Sequence, residues 1–176
     1  MYSMDNQMPE FDINSRECRD KQSELEELVA ALQKSEAGLK NIVDNAIEGI
    51  FQTDREGLIT QANPAFARLE GDRSPDEVIG HMNVRDLFVD LSDQRSLMSL
   101  LRAADSVQHF ESRMRTREAN IHWVTVNVRV TRDQNGKAVT FEGTMLDISK
   151  RKESEEALQE SEAKFRNIVG NAIEGI

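Results

Sequence analysis

One cysteine, three histidines, one tryptophan and one tyrosine stand in a chain of 176 residues. The lone Cys18 excludes an internal disulfide and any multi-cysteine metal site. With His81, His109 and His122 as the only imidazoles, no metal-ligand spacing emerges and no metal is expected. Long apolar runs are also missing. None approaches the roughly 20 residues that a membrane-spanning helix needs, and no charged-then-apolar leader opens the chain. The expectation is a cytoplasmic protein with no membrane insertion. Basic residues are outnumbered, 22 Lys and Arg against 32 Asp and Glu, for a formal net charge of −10. Such a surface repels nucleic-acid phosphates, and Lys150-Arg151-Lys152 is too short a cluster to reverse this. No nucleophile with a neighbouring base, no phosphate-cradling glycine loop and no paired acidic motif can be named, so no catalytic residue is expected.

What the chain does contain is a repeat. Ser35 to Ile50 returns as Ser161 to Ile176, the copies differing only at Gly38, Leu39, Lys40 and Asp44 of the first. Their spacing is too long for a solenoid unit and matches one small domain. The sequence therefore reads as one whole unit plus the opening of a second. Residues 1–22 read as a polar tail, poorly ordered to about Ser15, and 23–47 as an amphipathic helix. Leu25, Leu28, Leu32, Leu39, Ile42 and Ala46 fall at helical spacings, with Ser35 the polar member of the seam. Such a helix either packs on its own domain or pairs two chains as a parallel coiled coil, and the regular seam favours a homodimer.

The domain itself is expected over 48–149. Gly49 closes the helix, and Ile50–Asp54 and Leu58–Ala62 read as strands joined through Gly57. Asn63-Pro64 has the chemistry of a helix start. Short turns follow at Ser74–Glu77 and around Val84, Leu87 and Phe88. Ser92 is expected to cap a longer helix, Asp93 to about Ala104, with Leu97, Leu100 and Leu101 inward. Strands then alternate through Phe110, Ser112 and Met114, through Val124, Val126, Val128 and Val130, and, after the Asn135-Gly136 turn, through Phe141, Gly143 and Met145. From Lys150 the pattern is helical and charged. The order predicts an α+β domain, with short helices on one face of a five-stranded antiparallel sheet and amphipathic helices flanking it.

Asn45 to Gly71, Trp123, Asn135-Gly136 and above all the ending Asp147-Ile-Ser-Lys-Arg-Lys152 resemble the PAS sensory-domain family over about residues 38–152. The resemblance implies a regulatory module. Its ending, formed by Asp147, Ile148, Ser149, Arg151 and Lys152, would transmit a signal into a helix over 150–176 that leads to an adjacent PAS repeat and an output domain of histidine kinase or diguanylate cyclase type. Physically, Asp147 can accept backbone or Lys/Arg hydrogen bonds, and Ser149 can cap the outgoing helix.

By strand alternation and the expected faces of the short helices, the pocket lining comprises Phe51, Thr53, Phe66, Leu69, Phe110, Ser112, Met114, Val124, Val126, Val128, Phe141 and Met145. Only Thr53 and Ser112 offer polar anchors there. Light-sensing relatives carry a reactive cysteine after Gly80, where this chain has Met82-Asn83, so flavin is not expected. Haem-binding relatives use a histidine on the long helix, which has none here. Either large side chains fill the cavity or a small apolar molecule occupies it. The leading expectation is a non-catalytic sensor that dimerises and relays. The alternative is a purely structural dimerisation or spacer domain without ligand.

Overall fold

A computed structural model describes the backbone of residues 10–72 and 74–174 and the side chains of 21–72 and 74–166. Residues 1–9, the Cys18 side chain and the side chains of the second repeat from 167 onward lie outside the described residues. Two units are present, 1–43 and 44–176. The first is the long helix α1 (Glu10–Asp44). It starts upstream of the apolar seam because Glu17, Arg19, Lys21 and Gln22 are good helix formers even where no apolar stripe marks them. Leu25, Leu28, Leu32, Leu39 and Ile42 are all exposed along it.

The second unit is a five-stranded antiparallel sheet with spatial order β2-β1-β5-β4-β3. Its strands are β1 (Gly49–Asp54), β2 (Ile59–Ala62), β3 (Ser106–Arg115), β4 (Ile121–Arg132) and β5 (Ala138–Asp147). Helices α2 (Pro64–Leu69) and α3 (Leu91–Ala103) and two single 3-10 turns, Pro75–Glu77 and Val84–Leu87, lie between β2 and β3, and α4 (Ser149–Glu174) follows β5. The turn between β1 and β2 needs Gly57, whose φ of +93° suits a residue without Cβ.

Asn63 fixes where α2 begins. Its side-chain oxygen accepts from Phe66 N at 2.9 Å and from Ile50 N at 2.8 Å, and its amide donates to Glu48 O at 3.0 Å. One buried residue thus caps a helix and ties it to β1. The longer helix differs from expectation at its start. α3 opens at Leu91 with Asp90 in the cap position, its carboxylate turned to Arg113 at 2.9 Å. Ser92 lies inside the first turn, where its carbonyl accepts from Ser96. Leu97 and Leu101 are buried as expected, but Leu100 is 47% exposed, because the face that meets the sheet is narrower than three leucines.

The core sits between the sheet and these helices. Phe51, Ile59, Phe66, Leu97, Leu101, Met114 and the β4 valines are buried there. Phe51 and Phe66 meet with ring centroids 5.1 Å apart. Phe51 can lie along the sheet because its neighbour on β5 is Gly143. A Cβ at that position would stand 2.8 Å from the Phe51 ring and 2.6 Å from Asn127 O.

Candidate functional site: a cavity beside the sheet and its link to α4

A cavity of about 60 Å³ lies between the sheet and α3. The sheet supplies Phe51, Thr53, Met114, Val126, Val128, Phe141 and Met145 to its wall. Strand periodicity places these side chains on one face, so they are the part of the lining that alternation can specify. Phe66, Leu69, Phe110, Ser112 and Val124 lie outside the lining and pack in or against the surrounding core. Ser112 is held there by its own partner, since its hydroxyl donates to Asp93 Oδ2 at 2.8 Å and ties β3 to α3. It is a structural link instead of a ligand anchor. Thr53 remains in the wall, with its hydroxyl donated to Asp54 O at 2.9 Å.

The opposite wall is made by residues with no strand period to reveal them. Gly57, Val84, Arg85 and Phe88 come from the β1–β2 turn and the second 3-10 turn, and Gln94, Leu97, Met98 and Leu101 from α3. Those turns are held in place by backbone bonds. Ile59 N donates to Met82 O, Gly80 N to Ile59 O and Val84 N to Gly57 O. Asn83 completes the attachment, donating to Glu56 O and accepting from Arg85 N. The asparagine after Met82 is therefore a clamp that positions Val84 and Arg85 at the cavity.

At the end of β5 the strand passes into α4. Asp147 Oδ1 accepts from Ser149 N at 2.7 Å, so the carboxylate receives the first N–H of the helix. Ser149 does not cap α4. Its hydroxyl accepts from Trp123 N at 3.0 Å and holds the helix start against β4. Ile148 is buried and its N–H donates to Trp123 O at 2.8 Å. Arg151 and Lys152 both reach Glu111 on β3, Lys152 at 2.6 Å, and Lys152 lies 5.3 Å from the centroid of the Trp123 ring. Hydrogen bonds from Lys152 and then Arg151 hold the Glu111 carboxyl below its ordinary range. The first turn of α4 is thus bound to β3, β4 and β5 together.

Beside this joint stands His122, on the valine side of β4, with Nδ1 3.8 Å from Asp147 Oδ2. Burial lowers its pKa, against the pull of Asp147, and its Nε2 is buried without a hydrogen bond. His81 and His109 are exposed, and His109 occupies a left-handed backbone position at the irregularity of β3. Among the described residues no three His, Cys, Asp or Glu side chains converge on a metal position, and no helix is long and apolar enough to cross a membrane.

A second buried polar locus was not legible in the pattern. Glu70, at the C-terminal cap of α2, is 0% exposed and neither carboxylate oxygen has a hydrogen bond. Burial, and then the neighbouring Asp72, push its pKa up to about 8. Asp72 itself is bound by Arg117 at 2.8 Å.

Residues 37–148 match the family model described as the PAS fold. Among curated proteins, the chain is 32% identical over 122 residues to Sporulation kinase C of Bacillus subtilis (strain 168), covering 68% of this chain and 28% of that protein. It is 23% identical over 154 residues to Sensor histidine kinase TmoS of Ectopseudomonas mendocina, covering 86% and 16% respectively. The match thus spans less than a third of either kinase. Among solved structures, the PAS domain of a protein from Colwellia psychrerythraea superposes with a TM-score of 0.55 at 24% identity, over 68% of this chain and 98% of that one.

Proposed function

The chain belongs to the PAS fold family, and from that premise we propose that its domain pairs with a second copy and passes a change at the cavity through α4 to an output domain. A PAS domain is a sensory signalling module, and it is not the catalytic part of the sensor kinases that carry it. The output we assign is a histidine kinase, by the likeness to Sensor histidine kinase TmoS, with a diguanylate cyclase as the alternative.

One observation carries the reading. β5 contributes Met145 to the cavity wall and ends two residues later at Asp147, which receives the first N–H of α4. A change in strand position at the cavity is therefore delivered to the helix start through two residues of continuous backbone. Ser149, Arg151 and Lys152 restrain the same turn from β4 and β3, so the joint responds to relative movement of three strands. Dimerisation is assigned to α1, whose exposed Leu25, Leu28, Leu32, Leu39 and Ile42 need a partner to leave water.

The test is Asp147→Ala in the full-length protein. Asp147 is exposed, so the domain should melt within a few degrees of the unaltered protein while regulation of the output is lost. Unchanged regulation would remove the role given to Asp147. The smallness of the cavity favours the second reading, a structural spacer that sets dimer geometry and binds nothing. In that case no small molecule would alter the output at all.

A further inference from the structure

The cavity does not end at its apolar wall. Arg85, Gln94 and Met98 line it and also line an adjoining groove of about 430 Å³, which Arg95 and Arg102 complete. The groove has no acidic lining residue. Its position follows from α3, in which Leu97, Met98 and Leu101 turn an apolar edge to the cavity while Arg95 and Arg102, two turns apart, form a basic edge beside it.

In so acidic a chain these arginines stand out by their company. Arg113, Arg129, Arg132 and Arg151 each meet a carboxylate. Arg85 instead donates to the carbonyl of Arg55 at 3.0 Å, and Arg95 to that of Leu91 at 3.2 Å. Among the described residues none of Arg85, Arg95 and Arg102 has a carboxylate partner. Arg85, Arg95 and Arg102 line the groove beside the apolar cavity, and their charge there suits a ligand with one charged end and one greasy end. Its carboxylate could not enter the cavity without an expensive loss of hydration, but at the groove it would accept charge-assisted hydrogen bonds from planar donors.

We propose that the groove and cavity form one site for a small amphipathic anion, a monocarboxylate with its head at Arg85, Arg95 and Arg102 and its tail among Met98, Met145 and the β4 valines. This rests on the sensory reading and names the ligand class for the same cavity. The cavity admits about four water-sized groups, so the tail is about four to six carbons long.

The probe is hexanoate, titrated into the full chain and followed by calorimetry and by the methyl resonances of Met98 and Met145. Affinity should rise about fourfold per methylene from butanoate to hexanoate and level off beyond it. 1-Hexanol, which has the tail without the charge, should bind at least tenfold more weakly than hexanoate. The double variant Arg95→Gln/Arg102→Gln should lose about tenfold for hexanoate and little for hexanol, with an unchanged melting temperature as the control for folding. Hexanol binding as tightly as hexanoate, or hexanoate binding undiminished in the double variant, would overturn the inference and leave an apolar-ligand sensor standing. Phosphate displacing hexanoate without shifting either methyl would show an anion groove unconnected to the cavity and overturn it as well. Binding of neither hexanoate nor hexanol would overturn both the inference and the ligand-sensing role of the cavity.

Discussion

Glu70 carries the clearest pH signature of any single residue in the domain. A carboxyl that is buried without a hydrogen bond and lies beside Asp72 holds its proton up to about pH 8, whereas the unfolded chain releases it near 4.5. Between those values the folded state binds the extra proton, so stability falls as pH rises. The contribution is complete below about pH 4.5 and is lost as pH climbs through about 8. Glu70→Gln removes the titration and keeps the shape. The expected result is a variant that matches the unaltered protein near pH 4 but melts several degrees higher near pH 9, read by circular dichroism. Equal melting temperatures at both pH values would mean that Glu70 is ionised and stabilised in the fold. Strand alternation offered no route to this residue, since Glu70 lies at a helix end, and burial there depends on the β3–β4 hairpin folding over it through Arg117. Ser112 shows the same limit. Its side of β3 was legible, while its partner Asp93 lies on another element and could not be read from the strand.

Elements whose signals are local were legible nearly to the residue. Asn63-Pro64 opens α2 as the pair predicts, and Gly57 and Gly136 stand in their turns with positive φ. Asn63 does more than a cap, because its two further bonds, to Ile50 of β1 and to Glu48 just before it, make it the pin between helix and strand. Asn63→Ala should therefore cost about 2–3 kcal/mol, above the roughly 1 kcal/mol of an ordinary cap. Denaturant unfolding measures it, and a loss below about 1 kcal/mol would mean that the bonds to Ile50 and Glu48 contribute nothing net. Elements decided by tertiary contact were less legible. Asn45–Glu48 leaves the helix in the first copy of the repeat, whereas the same four residues at 171–174 are helical. Identical local propensity cannot separate them. The difference lies in Glu48 and Gly49, which are engaged by Asn63 and by β5 in the first copy. For the cavity, the sheet side followed from period two, and the side built by turns and α3 did not, which is why Arg85 and Gln94 escaped the sequence pattern.

At the scale of the whole molecule, the proposed function depends on two connections outside the cavity: pairing along α1 and transmission into α4. For pairing, Leu28→Glu/Leu32→Glu places charges in the exposed seam of α1. The expected outcome by light scattering is a dimer for the unaltered protein and a monomer for the variant, with the domain's melting unchanged. A monomeric unaltered protein at micromolar concentration would remove the pairing role of α1. For transmission, the direct measurement is hydrogen exchange at the amides of Ser149 to Glu155, with and without hexanoate filling the cavity. If strand movement reaches the helix through Asp147, protection of those amides changes in the unaltered protein and stays constant in Asp147→Ala, although both bind hexanoate. Ligand bound with no change in the first turn of α4, or an equal change in both proteins, would contradict the account.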